Sequence, residues 1–339
     1  MSTGISIIIC TYNGATRLPD TLRHIAVQQV CPKVCWEVLV VDNASTDQSA
    51  AVATAAWRSY GCPASFRVLY QPQKGLAYAR ELALEEAAYD FVLFCDDDNW
   101  LSPSYVNLAY DLMQETPTAG VLGGYGELVF EKDPPVWMHN LTALASGPQA
   151  SASGKAPYNA VYGAGCVIRK AVIQKLAVAG FKPLLSDRKG KQLSAGGDYE
   201  LCYAIALAGY EIWYDERLRF KHFMPQHRIS ASYYQQLLKE GAESLPVLIP
   251  YRLRLNQNCR GMVYFNLNLL RVFVFYFRRL VWLLLGKVAP GKRNKEPILH
   301  KLMLLSNFYK LYTLRNYTSM KYNFKKVLEL ERRLTRYSS

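Results

Sequence analysis

The sequence predicts an α/β protein built on a doubly wound, mostly parallel sheet. Apolar runs of strand type alternate with helical stretches through the first hundred residues, which is the pattern of β-α-β units. The runs are apolar throughout instead of alternating with polar residues, so helices should cover both faces of the sheet. The predicted strands span residues 5–10, 36–41, 66–70 and 91–95, and the helical stretches span 15–30, 47–60 and 75–88.

Composition and charge divide the chain into two unlike parts. Half of the 339 residues are hydrophobic and a fifth are charged, which excludes a disordered chain. Residues 1–250 carry 21 Lys and Arg against 24 Asp and Glu, a net charge of −3. Residues 251–339 carry 19 against 3, a net charge of +16. A positive surface concentrated in this way implies an anionic partner, either acidic lipid or nucleic acid.

The cysteines and the N-terminal sequence indicate in which cellular compartment the protein is located. The eight cysteines include no CxxC pair, and several lie inside apolar runs. They indicate small core residues of a reduced compartment instead of a disulfide framework or a zinc site. The first residues show no basic segment followed by a long apolar stretch, so we expect no signal peptide and a cytoplasmic protein.

The alternation of predicted strands and helices is less regular after Pro103. Residues 133–157 are rich in Pro, Gly, Ser and Ala and predict a long loop or lid. A regular pattern resumes at Tyr162–Ile168, continues in a helix from Lys170, and reaches a strand at Glu211–Tyr214. From Ser230 onward the pattern is helical.

Three adjacent carboxylates, Asp96, Asp97 and Asp98, follow the apolar strand that ends at Cys95. They repel one another, so the arrangement costs stability unless a cation neutralises it. Mg²⁺ and Mn²⁺ prefer such oxygen ligands and are commonly shared with substrate phosphates. A solvated turn or a helix N-cap is the alternative.

Two other segments occupy positions where α/β sheets bind ligands, beyond the carboxyl ends of strands. Asp42 follows the second strand and could accept hydrogen bonds from a base or ribose, while Ser45, Thr46 or Asp47 could cap the next helix. Lys74 and Gly75 precede a helix that carries Arg80, and a helix N-terminus of this kind favours phosphate. A capping role explains Asp47 well and Asp42 poorly. Ordinary capping and packing also explain the glycine and the basic residues of the second segment.

Four segments occur in order with typical spacing: SIIICTYNGATRLPDTL, EVLVVDNASTDQS, QKGLAYARELAL and FVLFCDDDNWLSPSYV. Together they resemble the glycosyltransferase family 2 domain, which has the GT-A fold. The resemblance implies an inverting, nucleotide-sugar-dependent glycosyltransferase domain over residues 1–230. Its nucleotide-sugar half would cover about 1–120 and its acceptor half about 121–230. A helical, basic, membrane-associating region would follow at 231–339.

The resemblance also implies roles for particular residues. The metal, Mn²⁺ or Mg²⁺, would be held by Asp98, Asp96 and His222, with Asp97 as the competing carboxylate and His227 as the alternative histidine. Arg228 would meet the diphosphate. The residues implied at the nucleotide are Thr11, Tyr12, Asn13, Asp42, Lys74, Arg80 and Asp96.

The segment SAGGDYELCYAIALAGY resembles the part of the family that carries the catalytic base, and it retains Asp198. Gly197 stands where relatives have an acidic residue. An inverting transfer needs one carboxylate to deprotonate the acceptor hydroxyl. Asp198 is the candidate, Glu200 is a weaker one, and a helix N-cap is the structural alternative for Asp198.

The segment from Met262 to Val288 is apolar and aromatic but is interrupted by Arg271, Arg278 and Arg279. No stretch of ~20 residues is uncharged, so a helix lying in the membrane interface is favoured over a spanning one. Later residues add Lys292, Arg293, Lys295, Lys301 and Lys310. A buried helical hairpin is the alternative, and the expected location is the inner face of the membrane.

Two functions follow from these patterns. The first is transfer of a sugar from a nucleotide donor, with UDP as the default, to a glycan or lipid-linked acceptor in cell-surface polysaccharide synthesis. Trp137, His139 and residues 162–166 would line the acceptor pocket. The second is a non-catalytic nucleotide-sugar-binding or nucleic-acid-binding protein that uses the basic C-terminal region. The retained Asp96, Asp98 and Asp198 favour the first, for which no nucleic-acid partner is expected.

Overall fold

A mixed sheet with helices on both faces forms the centre of the protein. The computed structural model describes residues 2–139, 141, 144–185, 196–285 and 297–336. The strands are β1 (Ser2–Thr11), β2 (Cys35–Asp42), β3 (Ser65–Tyr70), β4 (Tyr89–Phe94), β5 (Asn99–Leu101), β6 (Ala119–Phe130), β7 (Gly154–Lys155), β8 (Val167–Arg169) and β9 (Glu211–Met224). The α-helices are α1 (Leu18–Ala26), α2 (Ser49–Ser59), α3 (Leu76–Glu86), α4 (Tyr105–Glu115), α5 (Lys170–Val178), α6 (Gly197–Leu207), α7 (Ala231–Glu243), α8 (Leu245–Asn256), α9 (Met262–Leu285), α10 (Pro297–Leu314) and α11 (Tyr317–Arg336).

The sheet has the strand order β3-β2-β1-β4-β8-β6-β9-β5, with β7 paired to β9. The N-terminal strands β3, β2, β1 and β4 are parallel. In the other half, β6 and β9 are parallel while β8, β5 and β7 pair antiparallel with their neighbours. The predicted α/β class, with a parallel N-terminal half and a helical C-terminal extension, is confirmed.

Both faces of the sheet are buried because successive strand residues point in opposite directions. On β1, Ile7 and Ile9 pack with α1, α2 and α4, whereas Ile8 packs on the opposite side with α3, α5 and α6. All three isoleucines have essentially no exposed surface. An apolar strand with no polar alternation therefore has a partner for every side chain.

The strand β6 was not predicted, although it is a long one. Its sequence AGVLGGYGELVF contains four glycines, which are depleted in strands. The glycines permit close packing against β9: a Cβ on Gly124 would lie 2.3 Å from the backbone oxygen of Leu218. The strand β9 also extends to Met224 instead of ending at Tyr214, which places His222 inside it.

The C-terminal helices complete the core of the α/β domain. The buried cluster that contains Ile8 and the helices α3, α5 and α6 also includes residues of two C-terminal helices. These are Leu248 and Tyr251 of α8 and Val327 and Leu334 of α11. A second cluster joins α8, α9 and α11, and in it the rings of Phe265 and Phe324 stack with centroids 4.4 Å apart.

We predict that Phe324→Ala lowers the free energy of unfolding by ~3–5 kcal/mol, the usual cost of truncating a buried phenylalanine. Urea unfolding followed by circular dichroism measures the change. The matched control is Tyr322→Ala, because Tyr322 lies on the same helix but is 58% exposed. We expect the control to change stability by less than ~0.5 kcal/mol. Equal stability of the Phe324 variant and the parent would mean that α9 and α11 do not pack together in solution.

Candidate active site at the carboxyl edge of the sheet

The carboxyl ends of β1, β2 and β4 meet at one edge of the sheet. Thr11 at the end of β1 pairs in register with Asp42 at the end of β2. The backbone continues this alignment past the strands, because Asn43 N–H donates to the Thr11 carbonyl at 2.9 Å. The acidic cluster begins two residues beyond the end of β4. The segments that the sequence singled out therefore lie side by side.

Tyr12 and Lys74 form the exposed part of this edge. Lys74 Nζ lies 5.1 Å from the centroid of the Tyr12 ring and 3.4 Å from its hydroxyl. Asp42 is buried, and its Oδ1 accepts a hydrogen bond from Ser45 N–H at 3.0 Å. The arrangement offers an aromatic face, an ammonium group and a carboxylate to a ligand at the edge of the sheet.

Asn13 and Asn43 connect the loops that follow the strands. Asn13 has a φ of 52°, and its Oδ1 accepts hydrogen bonds from the Thr46 backbone and hydroxyl. Asn43 was not singled out from the sequence, yet its amide donates to the carbonyls of Gln71 and Gln73 and accepts from Gly75 N–H. These three bonds fix the loop that carries Lys74.

Asp97 makes structural contacts with both carboxylate oxygens. Oδ2 accepts a hydrogen bond from the Thr11 hydroxyl at 2.6 Å, and Arg17 donates to Oδ1 and Oδ2 at 3.0 and 2.8 Å. The Thr21 hydroxyl donates to the Asp97 carbonyl. Burial lowers the pKa of Arg17, but hydrogen bonding to Asp97 and its charge outweigh burial and raise that pKa. Asp97 therefore joins β4 to α1.

Asp98 points toward a different set of partners. Arg228 Nη1 donates to Asp98 Oδ2 at 2.9 Å, and His222 Nε2 lies 3.7 Å from Asp98 Oδ1, beyond hydrogen-bond distance. His222 Nδ1 lies 2.8 Å from the Leu144 carbonyl, which can only accept, so Nδ1 carries the proton. The lone pair of a neutral His222 is then on Nε2, beside Asp98. Arg228 and His222 are each less than 10% exposed.

The donor set around Asp98 fits a divalent cation. A carboxylate oxygen beside an imidazole nitrogen whose other nitrogen binds a carbonyl is a common arrangement of metal ligands. Asn99, paired with His222 across the β5–β9 ladder, is fully buried, and its amide has no hydrogen-bond partner among the described residues. No three His, Cys, Asp or Glu side chains of the described ranges gather at one point. A cation here would therefore depend on ligand phosphates and water for the rest of its coordination.

Asp96 and His227, the other candidate metal ligands, lie outside the contact between Asp98 and His222. Asp96 is partly exposed, and its carbonyl accepts a hydrogen bond from Asn99 N–H at 3.0 Å. His227 lies in the short 3-10 helix Gln226–Arg228, outside β9. Burial, with the charges of Arg228 and Arg17, lowers the pKa of His227. It is His222 that the structure brings to Asp98.

Asp198 lies in the first turn of α6 and does not cap that helix. The N-cap is Gly196, which has a φ of 112°. Asp198 Oδ1 accepts from Arg80 at 2.9 Å, and Oδ2 accepts from Gly163 N–H at 2.9 Å. A Cβ on Gly163 would lie 2.4 Å from the Asp198 carboxyl group, so residue 163 must be glycine for this contact. The Asp198 side chain remains 30% exposed.

Glu200 is fully buried two residues further along α6. Its carboxylate accepts hydrogen bonds from the backbone N–H groups of Leu184 and Leu185 at 3.0 and 2.8 Å. Glu200 therefore anchors the segment before α6, and this burial removes it from contact with an acceptor hydroxyl.

Two of the side chains expected in an acceptor pocket are part of the packed structure. The Tyr162 hydroxyl accepts a hydrogen bond from Gly126 N–H at 2.8 Å and lies 3.0 Å from the Gly124 carbonyl. Trp137 is buried against Tyr234. His139 is exposed and contacts Phe130 edge-on.

Comparison with known proteins relates this arrangement to a family. The model of "Glycosyl transferase family 2" matches residues 6–176, half of the chain. Among curated proteins, the succinoglycan biosynthesis protein ExoM of Rhizobium meliloti is 29% identical over 119 residues, 35% of this chain and 38% of ExoM. The poly(ribitol-phosphate) β-N-acetylglucosaminyltransferase TarS of Staphylococcus aureus is 33% identical over 99 residues, 29% of this chain and 16% of TarS. The chain thus matches less than two fifths of the length of either relative.

Two solved structures share the fold. The mannosyltransferase PcManGT of Pyrobaculum calidifontis, in complex with GDP-Man and Mn²⁺, superposes with a TM-score of 0.55 over 96% of this chain and 86% of its own, at 15% identity. TarS 1–349 of S. aureus, in complex with UDP, has a TM-score of 0.50 over 93% of this chain and 91% of its own, at 16% identity. The family model covers the strand ends that carry Thr11, Asp42 and Asp98 and half of the chain; the chain therefore belongs to glycosyl transferase family 2.

Proposed function

We propose that this protein is an inverting glycosyltransferase that moves a sugar from a nucleotide donor to a hydroxyl group of a glycan or lipid-linked acceptor. One observation carries the proposal: Arg80 joins the donor edge of the sheet to Asp198 through an ion pair of 2.9 Å. A carboxylate suited to a general base thus lies beside a cation suited to the donor diphosphate. The polysaccharide-synthesis relative supports an acceptor of the same class.

The donor would bind along the ends of β1 and β2. Tyr12 offers its ring to the base, Asp42 a carboxylate to the base or ribose, and Lys74 an ammonium to the phosphates, with Thr11 and Asn13 shaping the pocket. UDP is the nucleotide that we propose, and TarS bound to UDP is a relative of the same fold. Asp96, the first carboxylate of the acidic cluster, is the remaining residue that we propose at the nucleotide.

Asp98 and His222 would hold Mn²⁺ or Mg²⁺, with Asp96 as the further carboxylate. The bound cation would neutralise charge on the diphosphate as it leaves the sugar. Arg228, which donates to Asp98, adds a fixed positive charge at the same place. The Mn²⁺ in the PcManGT complex supports a divalent cation for this fold.

In the transfer step, Asp198 would accept the proton of the acceptor hydroxyl as its oxygen attacks the anomeric carbon. The bond to the diphosphate breaks on the opposite side, so the configuration at that carbon inverts. Gly163 N–H holds one oxygen of Asp198 and orients the other. Arg80 is shared between Asp198 and the donor, so a bound diphosphate competes for Arg80 and leaves the carboxylate available to the acceptor.

A non-catalytic sugar-nucleotide or nucleic-acid-binding protein is the other candidate. It needs neither the Gly163–Asp198 contact nor the Asp98–His222 arrangement, and both are present. These contacts favour catalysis.

Asp98→Asn should abolish the increase in UDP affinity that Mn²⁺ produces, because a neutral amide is a poor ligand for a hard cation. Calorimetric titration of UDP with and without MnCl₂ measures the effect. Asp97→Asn is the contrasting variant: it should lower thermal stability, because it weakens the contacts with Arg17 and Thr11. Since the amide oxygen can still accept one of these hydrogen bonds, the Mn²⁺ effect should fall much less than in Asp98→Asn. Undiminished Mn²⁺-dependent binding after replacement of both Asp96 and Asp98 would rule out this metal site.

Asp198→Asn should lower kcat by at least ~10²-fold, the lower end of what general-base catalysis contributes, and leave the KM for the donor within about threefold. A screen of nucleotide sugars with Mn²⁺ identifies the donor for this assay. Gly163→Ala should also lower kcat, because its Cβ would displace the carboxylate of Asp198.

The matched controls are Asp20→Asn, on the exposed surface of α1, and Gly241→Ala, where a Cβ would meet no atom within 4 Å. Both should keep full activity. An Asp198→Asn enzyme with ordinary turnover would exclude Asp198 as the base.

A further inference from the structure

The outward face of α9 is apolar and uncovered. The helix buries Phe265, Leu269 and Leu283 against the rest of the protein. On its other sides, twelve of its 24 residues are large apolar side chains exposed to solvent, among them Val263, at 71% exposure, and Trp282, at 68%. Soluble monomers rarely expose contiguous apolar surface on this scale. A partner for this face is therefore expected.

The exposed apolar residues form a stripe along the helix. At about 100° per residue, Val263, Leu270, Phe277 and Val281 project within one narrow sector. The buried residues project on the opposite side, so α9 has an inner and an outer apolar face. These four residues form the outer apolar stripe.

Arg271 and Arg278 are exposed and lie along one flank of the outer apolar stripe, and Arg279, also exposed, projects farther round the helix, away from the stripe. Arg271 is oriented by a hydrogen bond of 3.1 Å to Asn268 Oδ1. The arginines line a shallow groove of about 680 Å³ with Phe275 and Trp282. Guanidinium groups beside aromatic rings suit phosphate oxygens at an apolar boundary.

No acidic residue in α9 or α10 balances these charges. Burial, together with the charges of Arg279 and Arg252, lowers the pKa of Lys310 on α10. The positive potential around α9 therefore extends to the neighbouring helix and favours an anionic partner. Lys292, Arg293 and Lys295 lie outside the described residues.

We propose that α9 docks this protein on an anionic phospholipid bilayer. The helix lies in the plane of the interface, with the outer apolar stripe in the acyl boundary and with Arg271 and Arg278 at the lipid phosphates. Of the helices in the described ranges, none combines the length and apolar character needed to cross a bilayer. Residues such as Trp282 are typical of the interfacial region.

Charge complementarity selects the bilayer over a second copy of the chain. A symmetric dimer through α9 would bring the same arginines from both copies to one interface, with no acidic partner on either helix. A bilayer rich in acidic lipid supplies the opposite charge along the whole length of the helix.

The docking surface is independent of the chemistry proposed for the sheet edge, so its test does not use turnover. Deleting the C-terminal region is unsuitable, because Leu248 of α8 and Val327 of α11 are part of the main core. The test therefore uses the full-length chain in flotation with vesicles of phosphatidylcholine alone or with phosphatidylglycerol.

We expect binding to the anionic vesicles and much weaker binding to the neutral ones. The double change of Arg271 and Arg278 to Ala should weaken anionic binding by about thirtyfold, from the usual contribution of a basic residue at an acidic surface. Removing the same charge from α11 with Lys325→Ala and Lys326→Ala should have a much smaller effect. Replacing Phe277 and Trp282 by Ser should weaken binding to both vesicle types.

Brominated lipids provide a direct contact measurement. They should quench part of the tryptophan fluorescence of the parent protein. In Trp282→Phe this quenching should be lost. Equal loss of binding in the α11 control, or no binding to anionic vesicles, would overturn the proposal. So would a dimer that the Phe277 and Trp282 changes dissociate, or an RNA oligonucleotide that competes fully for Arg271 and Arg278.

Discussion

The partly buried contact between Asp97 and Arg17 is the interaction on which the candidate site at the carboxyl edge of the sheet depends. It fastens the end of β4 to α1 and uses both oxygens of the carboxylate, with Thr11 as the third member. Breaking a partly buried pair of this kind leaves an uncompensated charge and is costly. With Asp97 held on one side, Asp98 projects toward Arg228 and His222. The contacts of Asp97 thereby orient Asp98.

The second half of the chain is joined to this edge by a few polar contacts and a shared core. Arg80 of α3 reaches Asp198 of α6, and Arg228, just before α7, reaches Asp98. Behind them, α6 packs on α8, whose Leu248 lies in the same cluster as the sheet. Asp198 on α6, His222 on β9 and Arg228 just after β9 all lie outside the range of the family model. The C-terminal helices support the site and also present the exposed face of α9.

Local patterns predicted the parallel half of the sheet, because apolar runs and intervening helices are properties of short segments. They did not predict β6, whose glycines are explained only by the close approach of β9. Three adjacent aspartates are equivalent in sequence, and distant partners such as Arg17 and Arg228 distinguish Asp97 from Asp98. Asn43 looks like any polar residue after a strand until Gln71 and Gly75 are brought to it. Contacts across many residues decided each of these cases.

The proposed transfer is a single displacement in which Asp198 deprotonates the acceptor. The configuration at the anomeric carbon distinguishes this mechanism from a double displacement, because one displacement inverts that centre and two retain it. Proton NMR of the product, made with the donor identified by screening, gives the anomeric coupling, and the glycosidic carbon does not mutarotate. We expect a product of configuration opposite to the donor. A product with the donor's own configuration would contradict it.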